Sequence, residues 1–160
     1  PPTLHLLSDN SQQLTALNRV LDRLTRQGIK NVTILTPQTF DYTSFKPVLV
    51  EAPGNPSIRF YPYKGKQYVV STCIRFKGLE SDAIVLIDLR RDTFQGKGSL
   101  AFYVGSSRAK YSLDMLLTLP EEEYYSLAHQ LDPGVPNRSR TPDRMRRLLG
   151  TLFSASIETE

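Results

Sequence analysis

Two short polar segments, each set between apolar runs, hold the residue types in this chain best suited to chemistry. The first is Ser71-Thr72-Cys73-Ile74-Arg75-Phe76-Lys77-Gly78-Leu79-Glu80-Ser81-Asp82, and the second is Phe102-Tyr103-Val104-Gly105-Ser106-Ser107-Arg108-Ala109-Lys110. A guanidinium such as Arg108 presents a planar fork of donors that matches phosphate oxygens and spreads charge over a phosphoryl group. A carboxylate such as Glu80 only accepts, so it suits sugar hydroxyls. Thr72, Arg75 and Lys77 are of the hydroxyl and cationic types that hold nucleic-acid phosphates, and Gly78 permits a left-handed turn or a close approach of backbone to ligand. Plainer readings stand beside these. Arg108 could be a solvated helix arginine, and Glu80 could pair with Lys77 at i, i+3.

The elements that must position these segments follow from patterning. Ser8 to Gly28 reads as a helix with N-cap oxygens at its start, a glycine stop, and Leu14, Leu17, Leu21 and Leu24 on one stripe. Asn31 to Thr36, ended by Pro37, reads as a buried strand. Tyr42 to Ala52 has a helical pattern around Phe45, Val48 and Leu49. Ile58 to Tyr61 and Tyr68 to Thr72 read as strands about a turn. Ala83 to Leu89 is apolar without alternation, as in a parallel sheet covered on both faces. Ser99 to Lys110 reads as a helix and Leu113 to Leu119 as a final apolar run. Strands alternating with helices predict an α/β layer structure, in which ligands bind at strand ends. After Pro120, a helix to Leu131, a Pro- and Gly-containing linker from Asp132 to Pro142, and an amphipathic patch through Phe153 are expected.

At the two polar segments the chain resembles superfamily I DNA helicases of the UvrD/Rep type. Lys77-Gly78-Leu79-Glu80, with Thr72 ahead of it, is similar to motif V, T-x-x-x-x-K-G-L-E. Tyr103-Val104-Gly105-Ser106-Ser107-Arg108-Ala109-Lys110 is similar to motif VI, Y-V-G-x-S/T-R-A-K, and the order is the family's. The strand ending at Pro37 is similar to motif IV. The likeness spans about residues 4 to 119, and it departs at Ile74, where many relatives have His, and at Ser81, where an aromatic is common.

The resemblance implies the second RecA-like domain of a two-domain motor: a three-layer α/β unit with a mostly parallel sheet, over residues 1–119. Residues 120–160 would form a helical, Pro- and Arg-rich extension with room for partial disorder. It implies that Arg108 reaches the γ-phosphate, that Gly78 and Glu80 meet the nucleotide, Glu80 at the ribose, and that Thr72, Arg75 and Lys77 contact DNA. ATP with Mg2+ would be bound jointly with an N-terminal motor domain, and single-stranded or duplex DNA would be the track. The chain has no G-x-x-x-x-G-K-S/T of its own: Gly96-Lys97-Gly98-Ser99 has Arg91 in place of the first glycine and no strand read ahead of it. Alone it is not expected to hydrolyse ATP. The alternative is a catalytically inactive module of the same fold that binds nucleic acid or a protein.

Composition sets outer bounds. At 160 residues, 39% apolar, with eight Tyr and seven Phe, the chain can bury a core. The 20 Lys and Arg against 16 Asp and Glu leave only +4. Five arginines, Arg138, Arg140, Arg144, Arg146 and Arg147, crowd the last 28 residues, where a solvated end is the plainer reading. A lone Cys73 excludes a CxxC pair and fits a reducing cytoplasm, the expected location. His5 and His129 have no zinc spacing and read as surface residues. Tyr61, Tyr63 and Tyr68 with Lys64 and Lys66 could stack on bases, although a hairpin with half-buried tyrosines explains them as well. The chain starts on Pro1 rather than Met and is expected to be a piece of something longer.

Overall fold

The computed structural model describes residues 2–135 and 141–160. Its centre is an eight-stranded mixed sheet of β1 (Thr3–Leu7), β2 (Val32–Thr36), β3 (Val50–Ala52), β4 (Asn55–Tyr63), β5 (Lys66–Thr72), β6 (Ser81–Leu89), β7 (Ala109–Thr118) and β8 (Ser156–Thr159), in the order β3-β4-β5-β2-β6-β7-β1-β8. The six strands from β5 to β8 in that order run parallel, and β4 and β3 are antiparallel additions at one edge. This is the mostly parallel α/β class read from the sequence. The central strands lie between two apolar layers, which is why β6 needs no polar alternation.

On one face lies α1 (Gln13–Arg26), which buries Ala16, Leu17, Val20, Leu21 and Leu24 against Ile34, Val85, Ile87 and Leu116. The buried stripe is displaced from the expected one: Leu14 is exposed and Val20 is inside. Asp9 accepts from Ser11 N in a short 3-10 turn before the helix, and Gly28, at φ +75°, ends it with a bond from Ile29 N to Leu24 O. On the other face lie α2 (Gly96–Ser106), α3 (Tyr124–Leu131) and α4 (Pro142–Phe153). Ala101, Leu127, Ala128, Met145 and Leu149 pack there with Leu4, Leu6, Leu86 and Leu117.

Several expectations are corrected. Tyr42 to Ala52 is not helical: Lys46–Val48 makes a 3-10 turn and Val50–Ala52 joins the sheet, because Pro47 removes a helix donor and β4 offers a pairing edge. The second motif helix starts at Gly96 and stops at Ser106, so Ala109 and Lys110 open β7. β1 and β8, unread in the sequence, add two parallel strands beyond β7. The segment after Pro120 thus shares the sheet and one core cluster with the rest. Pro136 to Arg140 of the linker, with Arg138 and Arg140, lies outside the described residues. No described helix is long and apolar enough to cross a membrane.

His5 is not on the surface. It is 2% exposed, and its Nε2 lies 2.8 Å from Oδ1 of Asp114, itself 1% exposed. Arg23 of α1 donates to both carboxylate oxygens of Asp114, and Glu158 of β8 stands 3.3 Å from His5 Nδ1. A carboxylate only accepts, so His5 Nε2 carries the proton it shares. The cluster ties β1, β7, β8 and α1 together.

Candidate functional site

The first motif segment is a crossing loop fastened at intervals. β5 ends at Thr72 on the sheet edge formed by strand C-termini, where Cys73 N donates to Thr36 O at 2.9 Å. The Thr72 hydroxyl accepts from Arg75 N at 3.3 Å and starts a run of turns from Cys73 to Gly78. Cys73 and Phe76 point into the core and anchor the loop. Ile74 and Arg75 between them, and Lys77, Gly78, Leu79 and Glu80 beyond Phe76, are exposed. Burial pushes the Cys73 thiol up to about 12, so it stays protonated at neutral pH and is no nucleophile. Gly78 has φ +85° with nothing within 4 Å of where a Cβ would stand, a turn glycine facing open space.

In the second segment, α2 brings its C-terminus to the same loop. Gly105 has a packing reason: an added Cβ would stand 2.7 Å from Cys73 Sγ and 2.9 Å from Leu86 Cδ2. Helix, loop and β6 meet there too tightly for any side chain. Gly105→Ala should therefore destabilise the chain by about 1–3 kcal/mol through overpacking. Urea denaturation would measure it, and a midpoint equal to that of the parent would contradict the close contact.

Beyond Gly105 the helix end takes up its own N–H groups. Ser107 N donates to Tyr103 O and Arg108 N to Gly105 O, while the Ser106 and Ser107 hydroxyls donate to the Tyr103 and Val104 carbonyls. Arg108 thus sits on a helix C-terminus, whose carbonyls and negative dipole end favour a cation. Its Nε donates to Val104 O at 3.3 Å, leaving both terminal nitrogens without a partner among the described residues.

The β6–β7 pairing unites the segments. Ser81 N donates to Arg108 O at 3.1 Å, and Ser81 stands opposite Ala109 in register. Glu80 and Arg108 therefore lie side by side at the N-terminal ends of β6 and β7. Glu80 finds Lys110 at 3.8 Å, rather than Lys77; both members are exposed, and such a pair is weak enough to open for a ligand. Thr72 lies at the opposite sheet edge, the one where α/β sheets usually bind ligands. Arg75 turns toward β4, its guanidinium 3.3 Å from Pro56 O, and Lys77 has no partner among the described residues. The structure thus joins Glu80 and Arg108 and keeps Thr72 apart from them. Ile74 and Leu79 on the loop and Leu100 and Tyr103 on α2 are 51%, 55%, 62% and 69% exposed.

Other sequence candidates fall into place as structural parts. β6 does lead into Gly96-Lys97-Gly98-Ser99, contrary to expectation. However, Arg91–Phe94 winds as a 3-10 turn, and Thr93 O lies 2.6 Å from where a Cβ on Gly98 would stand, so the turn closes on the helix instead of opening around a phosphate. Tyr61 and Tyr68 are buried, and Tyr61 and Tyr63 donate to Asn18 and Asp22 of α1, which makes the hairpin a packing element. His129 is exposed and stacks on Tyr125.

Sequence reasoning missed Asp88, at the C-terminal end of β6. It is buried with φ +62° and accepts from the Thr36, Thr43 and Ser44 hydroxyls and Ser44 N, while its own N–H donates to Gln13. A carboxylate ending an otherwise apolar run was the available signal. Every contact in that network is internal, so it fastens the β6 terminus to α1 and the 43–45 turn. Among the described residues no group of three or more His, Cys, Asp and Glu could hold a metal ion. Comparison with known protein families and with curated proteins yields no match to this chain.

Proposed function

We propose that the chain is the C-terminal RecA-like half of an ATP-dependent DNA helicase, completing an ATP site whose P-loop belongs to an N-terminal motor domain. The observation that carries the reading is the junction of the two motif segments through the Ser81–Arg108 bond. It sets an acceptor-only carboxylate and a guanidinium with free terminal nitrogens at one exposed edge. The donor set fits a nucleotide: Glu80 would accept from ribose hydroxyls, Gly78 would let the backbone approach, and Arg108 would meet the terminal phosphate. The exposed apolar side chains of Leu79 on the loop and Tyr103 on α2 suit burial against a second domain.

Magnesium ATP, when bound, supplies the phosphoryl transfer that drives the motor. Arg108 is a positive group held by a helix C-terminus, so little reorganisation is needed to meet developing negative charge. Thr72, Arg75 and Lys77 would touch the DNA backbone from the far side of the same loop, so that movement at Glu80 is felt at Arg75 through a few residues. The reading is tested by nucleotide-dependent amide exchange in the parent protein: protection should appear at 76–82 and 104–110 on adding a non-hydrolysable ATP analogue with magnesium.

A further inference from the structure

The two edges of the sheet differ. At the β3 edge the strand has three residues, its register shifts between Glu51 and Ala52, and Pro53 follows, all features that blunt an edge against further pairing. β8 has none of them. Its four residues pair with β1 in unbroken parallel register, Thr3 opposite Ser156 through Leu6 opposite Thr159.

In a parallel strand, alternate residues turn their N–H and C=O to opposite sides. Ser156 N donates to Pro2 O and Glu160 N to Leu6 O, so Ile157 and Thr159 turn their backbone groups away from β1, toward no other strand among the described residues. Those residues line a groove of about 660 Å3 whose other wall is α4, with Arg146, Arg147, Gly150 and Thr151. Gly150 brings that wall close, since an added Cβ would stand 3.0 Å from Ala155 O and 3.2 Å from Ile157 Cγ1.

The charges on the groove are uneven. Arg146 is held by Glu121 at 2.6 Å and Asp143 at 2.7 Å, which satisfies the groove's acidic residue. Arg147 is exposed and has no side-chain partner among the described residues.

We propose that the free edge of β8 takes up an extended, acidic peptide strand of a protein partner, with a carboxylate of the added strand meeting Arg147. Two outward N–H donors alternating with two outward carbonyls are complemented by another backbone, the mode of strand addition. Phosphates of a nucleic acid accept only, and would leave the carbonyls unmet. A second copy of this chain would bring a second arginine-bearing α4 to the same groove, so like charge disfavours it. The inference is independent of the nucleotide reading.

The test uses a fluorescein-labelled eight-residue peptide alternating valine and glutamate, titrated into the chain by fluorescence polarisation. Saturable binding is expected, absent for the valine and lysine version. Thr159→Pro removes one outward N–H at a position where edge strands tolerate proline. It should weaken binding roughly tenfold or more with the thermal midpoint unchanged, and Arg147→Glu should weaken it similarly through charge. The inference is overturned by no saturation at about 1 mM peptide, by either variant binding as tightly as the unsubstituted chain, or by preference for single-stranded oligothymidine. It is equally overturned by a dimer in sedimentation that Thr159→Pro dissolves, since a second copy would then occupy the edge.

Discussion

Replacing Arg108 by alanine in the proposed two-domain motor should lower the turnover number for ATP roughly 10³-fold while nucleotide binding stays measurable, the scale on which a positioned arginine acts on a phosphoryl transition state. The structure makes this variant clean. The bond that Arg108 gives the fold, its carbonyl accepting from Ser81 N, is backbone and survives the substitution. The side chain contributes a single 3.3 Å bond to Val104 O on a half-exposed surface, so stability should change by no more than about 0.5 kcal/mol. Arg108→Lys should recover little, because an ammonium lacks the fork that spans two phosphate oxygens. Steady-state ATP hydrolysis together with thermal unfolding separates the outcomes. Lost turnover at an unchanged midpoint supports the role, and unchanged turnover removes it.

The largest stability effect is expected at Asp114. Removing this carboxylate leaves Arg23 and buried His5 without their shared acceptor, and breaking a buried pair costs about 3–5 kcal/mol. That is a large part of the 5–15 kcal/mol typical of a whole domain. Asp114→Ala should therefore shift the urea midpoint strongly downward at neutral pH. Burial alone would raise the Asp114 pKa. The hydrogen bonds from His5 and Arg23 and the charge of Arg23 overcome it and hold the carboxyl below its ordinary value. A group depressed in the folded state contributes stability that is fully present above its unfolded pKa of about 3.9 and is lost as pH falls through the folded value. The gap between parent and variant should hold from pH 7 down to about pH 5 and narrow in stronger acid. A gap that widens in acid would contradict the assignment.

What was legible in the sequence was local. α1 declared itself by leucine spacing and its glycine stop, and β6 by seven successive residues with only Asp88 polar. β1 was not legible, because Thr3 to Leu7 is a strand only through partners more than a hundred residues away in β7 and β8. β8 was less so, since Ser-Ile-Glu-Thr has one apolar residue and gains its structure from the open edge of β1. Tyr42 to Ala52 misled because helical spacing of Phe45, Val48 and Leu49 outweighed Pro47. Of the candidate site, the residue types of Glu80 and Arg108 could be read, but their adjacency arises from the β6–β7 register. Likewise His5 and Asp114, 109 positions apart, acquire a joint meaning only when β1 and β7 pair.

The most direct measurement on the proposed helicase role is hydrogen–deuterium exchange of the parent protein with and without a non-hydrolysable ATP analogue and magnesium. Slower exchange at 76–82 and 104–110, lost in Arg108→Ala at the second segment, is the expected result. Exchange unchanged at both segments under saturating nucleotide would contradict the assignment of this sheet edge to the ATP site.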